Sequence, residues 1–430
     1  MRFVAAGDMI IQQRICQDFP GYAELAPFIQ QADARFFNLE TTLNREGEAN
    51  GNQFSGGTYL RTDPRVLEDI QKFGFNMTTF NNNHALDYFY TGFQRTLDAL
   101  NESDFVHSGC GNNLAEASAP RYLETKNGRV ALISVCSSFH PAAMAGQQSP
   151  RVPGRPGVNG LSVYSYMELP QEDLAVIRRI ADQSNINAAT DINRKEGYAQ
   201  PLPEDQAELG GMRFCLGERP QNVMKFVEKD MQRIENAIYE AQLQADYILI
   251  SIHSHQISGT EKENPAEFLK EFAHRCIDAG AHAVIGHGPH LLRPIEVYKE
   301  RPIFYSLGDF ALQLYSVEFG PEDFFAQQGM SAYNSTIHDL LKKRSKDFTV
   351  GLMTDRRMFI SVIPQWEMED GKLTKLELMP IEMKMGGNKS EIGLPRRSSD
   401  PQIAEYLAKM CQPYGTKLEM TQEGMIRCTW

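Results

Sequence analysis

The sequence predicts an α/β domain built as layers around sheet. Three observations predict it. Short apolar runs alternate with helix-patterned segments, several of those runs end in Asp, Glu, Asn or His, and the composition is globular, with 42% hydrophobic and 23% charged residues in 430.

Taken in order, runs of Val, Ile, Phe and Ala predict strands over 3–6, 34–39, 75–80, 130–135, 247–252, 283–285 and 303–306. Helical spacing predicts helices over 64–73, 92–101, 114–119, 220–244 and 265–279, the last stopped by Gly280. The stretch 137–217 is rich in proline and reads as a long ordered excursion, a surface insertion or a lid, with one helix over 172–184. Apolar alternation on either side of Asp370-Gly371 predicts a β-hairpin over 359–379. A helix over 401–411 and a strand pair over 417–420 and 425–430 follow, and the polar segment 318–346 reads as a mobile helical flap. The expected division is a domain over 1–315, carrying the insertion, and a C-terminal extension over 316–430.

Composition also excludes. Net charge is −12, which argues against a broad nucleic-acid surface. Seven cysteines without a CxxC pair read as reduced thiols, and with no signal-peptide pattern and no long apolar span the expected location is cytoplasmic. The oligomeric state leaves no trace in the sequence.

Chemistry gathers where strands end. Six of the ten histidines lie between 253 and 290. His253 and His255 follow one apolar run, and His287 and His290 follow another in Gly286-His287-Gly288-Pro289-His290. Asp8 closes the first strand, Glu40 the second, and Asn82-Asn83-His84 the third. Strand carboxyl ends are where ligands bind in open α/β sheets. Carboxylate, amide and imidazole form an oxygen and nitrogen ligand set for Mn, Fe, Zn or Mg, and equally an acid–base set. Each residue has a plain structural reading alone: Asp8 as a helix cap, the asparagines as a turn, His255 as a supporting residue. Their coincidence at successive strand ends favours a site.

Ala6-Gly7-Asp8, Asn38-Leu39-Glu40, Asn82-Asn83-His84 with Asp87, His253, Gly286–His290 and Tyr305-Ser306-Leu307-Gly308-Asp309-Phe310 together resemble the CapA family of capsule and poly-γ-glutamate biosynthesis proteins. That resemblance implies a four-layer α/β/β/α sandwich of the calcineurin-like metallophosphatase type. It implies Asp8, Glu40, Asn83, His253, His287 and His290 as metal ligands, with Asp8, His84, His287 and His290 as catalytic groups and His84 as general acid. Arg155, Arg293 and Asn82 are the expected substrate contacts. Ile10 stands where metallophosphatases usually carry a first-strand histidine, and Gly288 replaces the second histidine of the usual His-His-Pro-His run. One divalent metal or none is therefore expected ahead of two, and no organic cofactor. The implied functions are a metal-dependent hydrolase-like enzyme on a peptide, polyglutamate or phosphoester, a metal-free peptide epimerase, or a non-catalytic assembly protein binding an anionic polymer.

Overall fold

The computed structural model describes residues 1–430. Two compact units emerge: Met1–Leu161 together with Met231–Trp430, and Ser162–Asp230.

The larger unit holds two large sheets, besides two two-stranded ones. The first runs in the order Lys417–Met420, Ile426–Thr429, Lys372–Met383, Ile360–Glu369, Arg2–Ile10, Ala34–Leu39, Met77–Thr79 and Val106–Ser108. Asp309–Leu312 joins it by pairing in parallel with the end of Arg2–Ile10. The second runs Ile295–Tyr298, Arg301–Phe304, Ala283–His287, Tyr247–His253, Gly128–Cys136 and Arg121–Thr125.

Side-chain alternation along Arg2–Ile10 explains the layering. Phe3 and Ala5 point into a core shared with Leu132, Leu249, Ile285 and Phe304 of the second sheet. Val4 and Ala6 point the other way, toward Leu25, Phe28 and Ile29 of the helix Pro20–Ile29 and Phe93 and Leu97 of the helix Phe89–Asn101. On the far side, Met231, Ile234 and Ile238 of Glu228–Gln242 and Phe268, Phe272 and Cys276 of Glu267–Asp278 are buried. The result is the α/β/β/α sandwich. Phe3 stacks on Trp366 at 5.3 Å and meets Tyr247 edge-on at 5.2 Å, which ties the centre together. Burying each such ring stabilises the fold by about 1.5–3 kcal/mol.

The smaller unit is a four-stranded sheet ordered Gln206–Leu209, Met212–Leu216, Val163–Leu169 and Gln221–Phe226, with helices Gln171–Ser184 and Ala188–Lys195. Leu169, Leu174, Ala207 and Phe214 form its core. The sequence reading of 137–217 as a one-helix excursion misses this sheet. It also runs one helix over 220–244, where the structure has a strand, Gln221–Phe226, and then a helix, Glu228–Gln242. The Val223, Lys225 and Phe226 stretch pairs across to Val163–Leu169, and tertiary pairing overrides the start signal of Pro220.

The Asp370-Gly371 hairpin forms as expected, both residues having positive φ (49° and 74°), as a type I′ turn requires. Several elements escaped the sequence reading, among them the helix Pro20–Ile29 and the strands Val106–Ser108, Arg121–Thr125, Ile295–Tyr298 and Asp309–Leu312. The expected flap over 318–346 is instead a packed layer: Phe324, Phe325, Ile337, Leu340 and Leu341 are buried against Leu314, Met358 and Phe359.

Gly7 sets how closely the strands approach. A Cβ there would lie 1.8 Å from the Gly308 carbonyl oxygen, where Asp8 N–H donates to that same oxygen at 2.9 Å. Gly7→Ala must push two backbones apart at the strand junction beneath the site. It is expected to destabilise the protein by about 3 kcal/mol or more, read by denaturant unfolding. A variant within about 0.5 kcal/mol of the parent would show that the junction yields freely.

Candidate active site

Register places the strand ends side by side. Asp8 pairs with Asn38 and with Asp309, Asn38 with Thr79, and His253 with His287. Residues far apart in the chain thus deliver their side chains to one rim of the sandwich.

Asp8 sits at the centre, fully buried. Its Oδ1 accepts from Asn38 Nδ2 at 2.7 Å, and its Oδ2 accepts from the Gly288 N–H at 2.8 Å. Burial raises its pKa, but the His287 hydrogen bond and the charges of His287, His253 and His290 outweigh this and hold it far below the ordinary carboxylate range. His287 lies between Ser251 Oγ at 2.7 Å and His253 Nδ1 at 2.9 Å. His253 Nε2 in turn meets His255 Nε2 at 3.1 Å and Glu40 Oε1 at 3.6 Å. Burial and neighbouring imidazoles push both His253 and His255 well below 6.5, so both are neutral donors of lone pairs.

Glu40 is the opposite of Asp8. It is fully buried and neither carboxylate oxygen has a hydrogen-bond partner. Burial, then the nearby charges of Asp8 and Asp309, raise its pKa well above 4.5. His290 Nδ1 bonds Asp309 Oδ1 at 3.0 Å and lies 3.7 Å from Asp8 and 3.9 Å from Glu40. Burial works against charge on His290, but Asp309 and Asp8 raise its pKa overall, while burial lifts Asp309 to about 6. Asp309 Oδ2 also lacks a partner.

Three triads have ligand atoms close enough for one cation: Asp8, His253 and His287; Glu40, His253 and His255; and Asp8, His290 and Asp309. Buried acceptors without donors, facing neutral imidazoles, are what a cation would satisfy.

His84 belongs to a separate arrangement. Its Nδ1 is 2.6 Å from Asp87 Oδ2, and its Nε2 faces Glu40 Oε1 at 3.7 Å. Asp87 also accepts the Gly56 and Leu60 N–H groups at 2.9 Å each, which fixes the loop beside the histidine. His84, His290 and Ile10 line a cavity of about 300 Å³. Where a first-strand histidine would offer a ligand, Ile10 therefore gives the cavity an apolar wall.

Several expected residues have other tasks. Asn82 is buried and spends its amide on Asn38 Oδ1, Leu39 O and the His84 N–H, which positions the site. Asn83 donates to Gly56 O at 2.9 Å, which leaves its Oδ1 buried without a partner and free to act as a ligand. Arg155 is exposed and donates to Met144 O. Arg293 is fully buried and donates to the carbonyls of Lys262, Ser254 and Gln256, which clamps the loop that carries His255. The Arg293 guanidinium is thus spent on backbone carbonyls, whereas Arg155 lies at the surface.

His255, Asp87 and Asp309 were read too modestly. The clearest missed signal is a repeated dipeptide: Gly7-Asp8 and Gly308-Asp309 occupy neighbouring, register-matched strands. Gly288 has its own reason. Its φ is +119°, and a Cβ would lie 3.0 Å from Ser254 N and 3.2 Å from His253 Nε2, so any side chain here is strained.

All seven cysteines are unpaired, and no helix is long and apolar enough to cross a membrane.

Known proteins resemble this chain along most of its length. Two uncharacterized proteins of Sinorhizobium fredii, y4sH and y4uA, are each 31% identical over 440 residues, covering 99% of this chain and 92% of theirs. The capsule biosynthesis protein CapA of Bacillus anthracis is 22% identical over 290 residues, covering 67% of this chain and 53% of its own. Overlays on solved structures are distant: a hypothetical protein from Thermus thermophilus gives a TM-score of 0.40 at 13% identity, covering 89% of this chain and 99% of that one. A putative 5′-nucleotidase from Staphylococcus aureus gives 0.38 at 11%, covering 88% and 54%. The model of the bacterial capsule synthesis protein PGA_cap family matches residues 2–313, the span that carries every site residue just described, and the chain belongs to that family.

Proposed function

We propose that this chain is a metal-dependent hydrolase acting on an amide or ester bond of a peptide, polyglutamate or phosphoester substrate. The observation that carries the reading is Glu40: a fully buried carboxylate with two unpartnered oxygens, within 4 Å of His84, His253 and His290. A divalent cation of the Mn, Fe, Zn or Mg class would supply there a lowered pKa for an attacking water and polarisation of the bond to be broken. Asp8, Glu40, Asn83, His253, His255, His287, His290 and Asp309 are the residues that would hold it.

The chain's own groups do the rest. Asp87 fixes the His84 ring through Nδ1, which directs Nε2 to the cavity, where it gives a proton to the leaving group. Asn38 and the Gly288 N–H hold the Asp8 carboxylate in place. The sandwich walls bury the cluster and strengthen each electrostatic contact. The role in capsule or poly-γ-glutamate biosynthesis carried by the names of the Bacillus relatives comes to this chain as part of the same proposal.

Metal-free epimerisation by Asp8 with His287 or His290 is less well supported. Asp8 and His287 are fully buried, Asp8 is held ionised by its partners, His287 has both ring nitrogens engaged, and His290 Nδ1 is bonded to Asp309. The test is elemental analysis of the purified protein, then hydrolysis of a phosphodiester and a γ-glutamyl amide before and after chelation. Bound transition metal and hydrolysis lost on chelation, then restored by Mn or Zn, are expected. Chelator-resistant exchange of a peptide Cα proton for deuterium would overturn the reading.

A further inference from the structure

The cavity that His84 and His290 share with Ile10 extends away from the ligand cluster and changes character. Its outer wall is apolar, formed by Leu314, Leu341, Phe348 and Met353. One cation interrupts it. Arg344, the last residue of the helix Ile337–Arg344, lines the same cavity and is solvent-accessible. Its Nη2 donates to Thr58 Oγ1 at 2.9 Å, and it makes no ion pair with any carboxylate.

Acidic residues outnumber basic ones, 55 to 43, and Arg2, Arg14, Arg194, Arg357 and Arg396 pair with a carboxylate, whereas Arg61, Arg301 and Arg344 do not; of these three only Arg344 lines the cavity. A guanidinium left unpaired in an apolar-walled cavity beside the reactive histidines matches a ligand with an apolar body and a single anionic end. The lone cation and its neutral hydroxyl partner suit a monoanionic, planar carboxylate. A phosphate dianion calls for more positive charge.

We propose that Arg344 is a specificity-determining residue that binds the carboxylate of a substrate whose adjoining apolar side chain fills the Leu314–Phe348 side of the cavity: a peptide ending in an apolar residue. This rests on the hydrolase reading only for where the substrate reacts. Binding can be measured without turnover, so the two fail separately.

The experiment is calorimetric or NMR titration of the full-length protein, chelated and metal-loaded, with four probes: N-acetylphenylalanine, its amide, N-acetylglutamate and phenyl phosphate. The free acid is expected to bind about tenfold or more tightly than the amide, and more tightly than N-acetylglutamate or phenyl phosphate. Arg344→Gln should erase the acid-over-amide preference and Arg344→Lys should keep part of it, with thermal unfolding unchanged in both. Equal binding of acid and amide, or a preference that survives Arg344→Gln, overturns the proposal. So does tighter binding of phenyl phosphate, which would assign the cavity to phosphoesters, or of N-acetylglutamate, which would assign it to acidic chains.

Discussion

Glu40→Gln is expected to strip bound metal from the protein and, in the same molecule, to raise the stability of the metal-free fold. Both follow from one fact: the carboxylate is sealed from water without a donor to either oxygen. In the absence of a cation the folded protein favours the protonated form, because burial and the charges of Asp8 and Asp309 raise the pKa well above 4.5. A group that binds its proton more tightly when folded contributes stability that is complete below its unfolded pKa and is lost as pH rises through the folded one. The amide of Gln cannot ionise, so it escapes that loss.

The gain should therefore be near zero at about pH 4 and grow toward neutral and alkaline pH, reaching about 1–3 kcal/mol. Thermal unfolding of chelated parent and variant across that range measures it. Metal uptake by the parent should release a proton, which titration in buffers of different ionisation enthalpy detects. A variant less stable than the parent at every pH would mean that Glu40 is ionised and already partnered, and the metal reading would lose its main support.

Replacing His84 with Asn should lower kcat by about 10²- to 10⁴-fold while leaving metal content unchanged. His84 is in none of the three candidate triads, and its Nδ1 is committed to Asp87 at 2.6 Å. Its remaining nitrogen lies 3.7 Å from Glu40, and the ring lines the cavity. Loss of a proton donor penalises poor leaving groups most. The variant's deficit should be large for alkyl esters and amides and small for nitrophenyl esters. A uniform deficit across leaving groups would assign His84 a binding role instead.

Much of this was legible in the residues. Asp8, Glu40, His253, His287 and His290 follow apolar runs that end where the sheet ends, and local pattern locates strand ends well. Arg293 and Asn82 spend their donors on protein oxygens, and polarity alone does not tell whether a donor faces a ligand or a loop carbonyl. Arg293 is consumed by backbone oxygens supplied from a loop some thirty residues earlier (a separation of 31 for Lys262), a pairing no local pattern reveals. Asp309 was passed over because its strand has four residues and pairs only with the tip of Arg2–Ile10. The sheet within Ser162–Asp230 stayed hidden behind prolines, since its strands are short and mostly exposed on one face.

The bond from the Gly288 N–H to Asp8 spans 280 positions of chain, and the pairing of Asp8 with Asp309 spans more. Contacts so distant close late, after the loop entropy between them has been overcome. A nascent chain exposes Asp8 first and His290 long afterwards, so the complete ligand set exists only once both sheets have docked. On the proposed metal-dependent reading, metal loading would be the final event of maturation, and a cation bound to the finished cluster would slow its reopening. The time at which the protein acquires metal after release from denaturant would serve as a clock for the docking of its two halves.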